Sequence, residues 1–139
     1  MVRVNIISPA MLSDQHLVAE YNEIFMLRSY LLRYPNRTGI PREYRLGEGH
    51  MRFFQDKALY LKKRHDALRA EMALRGFTAR KRFKLAGLKA FQRGDWTANE
   101  RDVTVIMRRI TDKMRVKPDF YRYYGTKRSL KFWKHFYKM

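Results

Sequence analysis

Ser13-Asp14-Gln15-His16-Leu17-Val18-Ala19-Glu20-Tyr21-Asn22-Glu23-Ile24 opens the helix around which the chain is organised. Ser13 is suited to cap it, since its hydroxyl can accept from a free backbone N–H of the first turn. Asp14 adds negative charge near the positive end of the helix dipole. No Pro or Gly interrupts the run from Leu17 to Tyr34. Leu17, Tyr21, Ile24, Leu27, Tyr30 and Leu31 recur mostly at spacings of three and four, a broad buried stripe, and Val18, Phe25, Met26 and Leu32 are expected to widen it. His16, Glu20 and Glu23 stand at i, i+4 and i+7 and therefore share a face. Two carboxylates and an imidazole beside so much apolar surface are costly unless wet, paired or used. Three readings follow: a solvated polar face, a metal site for which one helix supplies too few ligands, or a catalytic carboxylate with helpers.

Outward from this helix, residues 2 to 9 are short, partly apolar and end at Pro9, the pattern of an extended arm packed on the body. Pro35 to Pro41 form a loop. A second helical face follows in Met51, Phe54, Ala58, Leu61, His65, Leu68 and Met72, with Lys62, Lys63, Arg64 and Asp66 largely off it. Gly76 is placed to end that helix in the left-handed conformation. Residues 77 to 96 are irregular. From Arg75 to Arg93, ends included, there are seven basic and no acidic residues, interleaved with hydrophobes that can tie the segment to the body. Thr97-Ala98-Asn99-Glu100 reads as a capping box for a third helix. Val103, Ile106, Met107, Ile110 and Met114 form its buried face, Arg109 and Lys113 pair at i and i+4, and Pro118 ends it. The predicted fold is all-α: a single domain of three main helices with long irregular connectors, an extended N-terminal arm and no regular sheet.

The chain has 139 residues, enough for one domain with a modest core, and no cysteine, so there is neither a disulfide framework nor a thiolate metal site. Nothing resembles a membrane span or a signal peptide, and an intracellular, non-secreted protein is expected. Thirty-one Lys and Arg against 13 Asp and Glu give a net charge of +18. A field of that size favours polyanions, nucleic acid first. From Phe120 to Met139 there is no acid, and six Lys or Arg interleave with eight aromatic residues. Rings of this kind can stack on bases while cations hold phosphates, or they can close the core.

Taken in order, these features resemble the phage and algal-virus pyrimidine-dimer DNA glycosylases with AP lyase activity. The resemblance rests on Arg3, Asn5, the run Asp14-Gln15-His16-Leu17, Ala19-Glu20-Tyr21 and Glu23. It continues through Gly49-His50, Phe53-Phe54, Asp56-Lys57, Arg75-Gly76-Phe77, Arg93-Gly94-Asp95, Arg109, Lys113 and Tyr121 to Gly125. The resemblance implies a DNA glycosylase-like domain over 1–125 and a basic aromatic C-terminal tail over 126–139. It makes the α-amine of Val2, exposed on removal of Met1, the nucleophile, and Glu23 the catalytic carboxylate. Arg3, Gln15, His16, Asn22, Arg109, Lys113, Tyr121 and Arg122 become DNA contacts. The partner would be double-stranded DNA with damaged or abasic sites, bound by a monomer without metal or cofactor. Val2 stands where the type member of that family has Thr, and Asn22 and Met26 stand where it has arginines; the tail after Gly125 is about a dozen residues longer and strongly basic. A non-catalytic basic nucleic-acid-binding or packaging protein that retains the fold is the alternative.

Overall fold

The computed structural model describes residues 2–139. It is mostly helical: α1 (Asp14–Arg33), α2 (His50–Phe53), α3 (Ala58–Leu74), α4 (Glu100–Val116) and α5 (Leu130–Phe136), joined by irregular segments and three short 3-10 turns. One two-stranded antiparallel ladder, β1 (Arg122–Tyr123) with β2 (Thr126–Lys127), is present where no sheet was predicted. Its tight turn uses Tyr124 and Gly125, both at positive φ, the geometry that matches strand twist in a two-residue hairpin loop. No helix among the described residues is long and apolar enough to cross a membrane.

Helix α1 forms as its sequence dictates. Ser13 Oγ accepts from the His16 amide, and the helix ends at Tyr34, before Pro35. Leu17, Tyr21, Ile24, Leu27 and Leu31 are buried, and α1 packs chiefly on α3. Met26 and Leu32, expected to widen the stripe, are exposed instead. The C-terminal carbonyls of α1 find side-chain donors: Gln92 Nε2 donates to Leu31 O and Gln55 Nε2 to Tyr34 O.

The second helical pattern is broken into α2, a 3-10 turn over Phe54–Asp56, and α3. This break turns Phe53 and Phe54 into an aromatic cluster with Tyr44, Tyr60 and Trp96. Arg64, assigned to the outer face, is buried. At the end of α3, Gly76 adopts φ +83° while Phe77 N–H donates to Met72 O and Gly76 N–H to Ala73 O, the paired bonds of a Schellman cap. Helix α4 starts two residues beyond the predicted box. Asn99 caps it, and Asn99 and Asp102 each accept the other's N–H. Asn is the stronger cap than Thr, and the pair seats Asp102 in the interior.

Residues after the hairpin end in α5, capped by Ser129, with Trp133 and Tyr137 in the common core. Arg75 ties this end of the chain down. Its buried side chain bonds Asp14 and Glu71 at 2.9 Å each, donates to Leu12 O, and lies beneath the rings of Tyr123 and Tyr124. Asp14 in turn accepts from the amides of Tyr124 and Gly125.

Gly94 sits where the segment before α4 crosses the start of α3. A Cβ there would stand 2.4 Å from the backbone oxygen of Asp56. Gly94→Ala is therefore expected to lower stability by about 1–3 kcal/mol, as overpacking against backbone does; a urea midpoint unchanged from the parent protein would contradict this contact.

Candidate active site

Helices α1 and α4 and the N-terminal arm enclose a cavity of about 310 Å³ lined by Arg3, Asn5, His16, Ala19, Glu20, Glu23, Arg109, Ile110 and Lys113. The i, i+4, i+7 spacing on α1 supplies His16, Glu20 and Glu23, and the Arg109/Lys113 pair on α4 faces them. One pocket thus collects Arg3, His16, Glu23, Arg109 and Lys113 from the sequence-derived set.

The arm is held at both backbone groups of Val4. Val4 N–H donates to His50 Nε2 at 2.9 Å, and Tyr44 OH donates to Val4 O at 2.7 Å. His50 Nδ1 lies 2.7 Å from Arg45 O, so Nδ1 carries the proton and Nε2 is the acceptor. This is a neutral imidazole, and burial pushes its pKa down to about 4. Further along, Asn5 Nδ2 donates to Glu20, and Arg64 donates to Ile7 O. Glu20 also receives two bonds from Arg64, at 2.7 and 2.9 Å, with both side chains out of solvent.

These anchors bring the start of the arm to Glu23. Arg3 N–H donates to the Glu23 carboxylate. The backbone nitrogen of Val2 is three covalent bonds from that amide. Burial raises the Glu23 pKa above the ordinary carboxylate value, opposed by the bond from Arg3. The Arg3 guanidinium is pushed below its ordinary value by burial and then by Arg109. His16 is also held neutral, its pKa lowered to about 4 by burial and by the charges of Lys113 and Arg109. Its ring stacks on Tyr121 at 4.9 Å and its Nδ1 lies 3.0 Å from Ser13 Oγ.

Residues 1–85, more than half the chain, match the family model described as pyrimidine dimer DNA glycosylase. The chain belongs to that family. Membership implies DNA as the substrate.

The remaining sequence-derived residues do not line this cavity; Gln15 and Arg122 line a separate open pocket with Val18 and Phe77. Gln15 bonds Phe120 O and the Arg122 amide, pinning the segment that carries Tyr121 into β1. Arg122 is exposed and bonds Gly125 O. Val2 is buried. Met1 lies outside the described residues, so its removal is untouched by the structure. Asn22 is exposed on α1, and its Oδ1 accepts from Lys81 Nζ at 3.1 Å. The irregular basic segment therefore delivers a cation beside Asn22. Phe83 and Leu88 are buried to anchor that segment, while Arg80, Lys81, Arg82 and Lys84 surround an open groove.

Sequence reasoning missed Glu20, Arg64 and His50 as parts of the site's frame. For Arg64 a signal existed: it shares the three-to-four spacing of Leu61, Leu68 and Met72. A long cation on a core face needs a buried acid, and Glu20 was the one out of place on α1.

The lowered pKa values of His16 and His50 make stability pH-dependent, and buried His65 shifts in the same direction. Each is neutral when folded and takes up a proton below about 6.5 when unfolded, so the folded state is fully favoured above pH 6.5 and loses ground as pH falls toward 4. His50 alone accounts for roughly 3 kcal/mol of that loss. Urea titrations between pH 7 and 4 should show the decline, and His50→Gln, which keeps an acceptor for Val4 but cannot titrate, should flatten it. Equal slopes in both proteins would rule out His50 as the titrating anchor.

Proposed function

We propose that this chain is a DNA glycosylase with AP lyase activity on ultraviolet-induced pyrimidine dimers, acting as a monomer on duplex DNA wherever that DNA resides. Once Met1 is removed, the α-amine of Val2 attacks sugar C1′. The C1′–N bond to the base breaks, and the base leaves with a proton. The amine loses its protons as the sugar ring opens, leaving an imine to C1′. Removal of a C2′ proton then expels the 3′ phosphate by β-elimination.

An α-amine suits this task. Its pKa of roughly 8 leaves a useful neutral fraction at physiological pH, whereas a lysine needs a much larger shift. Glu23 stabilises the cationic sugar and carries protons between the ring oxygen, C2′ and solvent. Arg3, Arg109 and Lys113 hold the phosphates flanking the lesion, and the neutral His16, braced by Tyr121, packs beside them. Gln15, Arg122 and Asn22 with its partner Lys81 contact the backbone further out.

The observation that carries this function is the hydrogen bond from Arg3 N–H to Glu23 at the wall of a cationic pocket. It supports the reading because the nitrogen of Val2 is three covalent bonds from the Arg3 amide and burial raises the pKa of Glu23. A non-catalytic nucleic-acid-binding protein is the second reading, favoured by the net charge of +18. Such a protein gains nothing from an acid facing phosphates.

Glu23→Gln separates the two, because the amide oxygen can still accept from Arg3. Strand cleavage at a dimer or an abasic site is expected to fall by at least about 100-fold, the scale of a lost general acid–base group, with affinity for the same duplex retained. Cleavage at the parental rate would remove Glu23 from the chemistry.

A further inference from the structure

Helix α5 gives the protein a second cationic face, turned away from the pocket. On α4, Arg109, Ile110 and Lys113 line the catalytic cavity, whereas Met107, Arg108, Thr111 and Arg115 line a separate groove closed by Tyr137, Lys138 and Met139. At 100° per residue the two sets are centred roughly 170° apart around the helix. Helix α5 therefore docks on the back of α4.

Its own two faces are sharply divided. Trp133 and Tyr137 are in the core, and Tyr137 OH donates to Met11 O. Lys131, Lys134 and His135 lie together on the opposite, exposed face, followed by exposed Lys138. Lys138 takes φ +55° in the turn closing the helix, where its N–H donates to His135 O and Met139 N–H to Lys134 O. The capped end is thus held in place by aromatic anchors rather than fraying. No acid occurs from residue 120 to 139. The last two acids before it in the sequence are engaged: Asp119 accepts from the Leu130 amide, and Asp112 pairs with Arg115.

We propose that this face, built on Lys131, Lys134, Lys138 and Arg108, binds the phosphate backbone of a second DNA duplex segment while the pocket holds the first. From Lys131 to Lys138 the face is about 10 Å long, the axial rise of roughly three phosphates on one strand. Charges fixed on an anchored helix, with no acid among them, suit a regular polyanion. The two faces point apart, so one duplex cannot occupy both without wrapping the molecule. The inference concerns binding alone and does not rest on the lyase chemistry.

The test uses full-length protein bound to an immobilised undamaged duplex, which is then offered a fluorescent duplex of the same length. The parent protein is expected to capture the second duplex, with capture lost as salt rises. The variant Lys131→Gln/Lys134→Gln/Lys138→Gln should capture at least tenfold less, yet cleave a short abasic duplex at the parental rate. Capture by this variant equal to the parent's, or none by the parent protein on a saturated first duplex, would overturn the proposal. So would binding of phosphatidylserine vesicles that depends on the three lysines, without duplex capture. Failure of cleavage in both proteins would count against the catalytic proposal only.

Discussion

A buried ion pair, Glu20 with Arg64, is the constraint on which the rest of the structure depends. Glu20 comes from α1 and Arg64 from α3, and both side chains are almost completely out of solvent. Removing two such charges from water costs several kcal/mol per ion, and only good geometry with every remaining site bonded recovers it. That condition is met by a bidentate guanidinium contact, by Asn5 on Glu20 and by Ile7 O on Arg64. The pair's return is placement. Two groups of the arm complete its bonding, so the arm cannot slide along α1 without leaving a charge unsatisfied. With Val4 held between Tyr44 and His50, the backbone of Arg3 lies against Glu23.

A second buried cation does the same for the other wall. Arg75 gathers Asp14, Glu71 and the loop before α1 beneath two tyrosine rings, and Asp14 grips the hairpin turn. The hairpin then carries Tyr121 onto His16. The arm and the hairpin are thus fixed by arginine–carboxylate pairs inside the fold, while α4 supplies Arg109 and Lys113 to the cavity. The cost is a dependence on deprotonated histidines: His50 and His16 serve only in their neutral forms.

Much of this was legible in the sequence. The spacing of His16, Glu20 and Glu23, the Ser13 cap, Gly76 and the Arg109/Lys113 pair all act locally, through one helix or one turn, and local periodicity reports such features. Arg64 was misassigned because a charged residue is ordinarily exposed, and its partner lies 44 positions away, beyond any pattern in a single helix. The start of α4 was misread because Thr97 and Asn99 both begin plausible capping boxes, and tertiary packing chose the second. The hairpin was invisible because its strands are two residues long and its turn depends on Asp14. The tail's aromatics divide as composition allowed, some closing the core and their neighbours presenting lysines outward, but the α4 side on which they dock is a tertiary fact.

The central claim is that the arm delivers the α-amine of Val2 to Glu23 as the reacting group. The most direct measurement is peptide mapping by mass spectrometry of the borohydride-reduced adduct between an abasic duplex and protein whose chain begins at Val2. The sugar remnant is predicted on the α-amine of Val2. A remnant on Lys113 or another lysine side chain, or no adduct from protein that binds the duplex, would contradict the account.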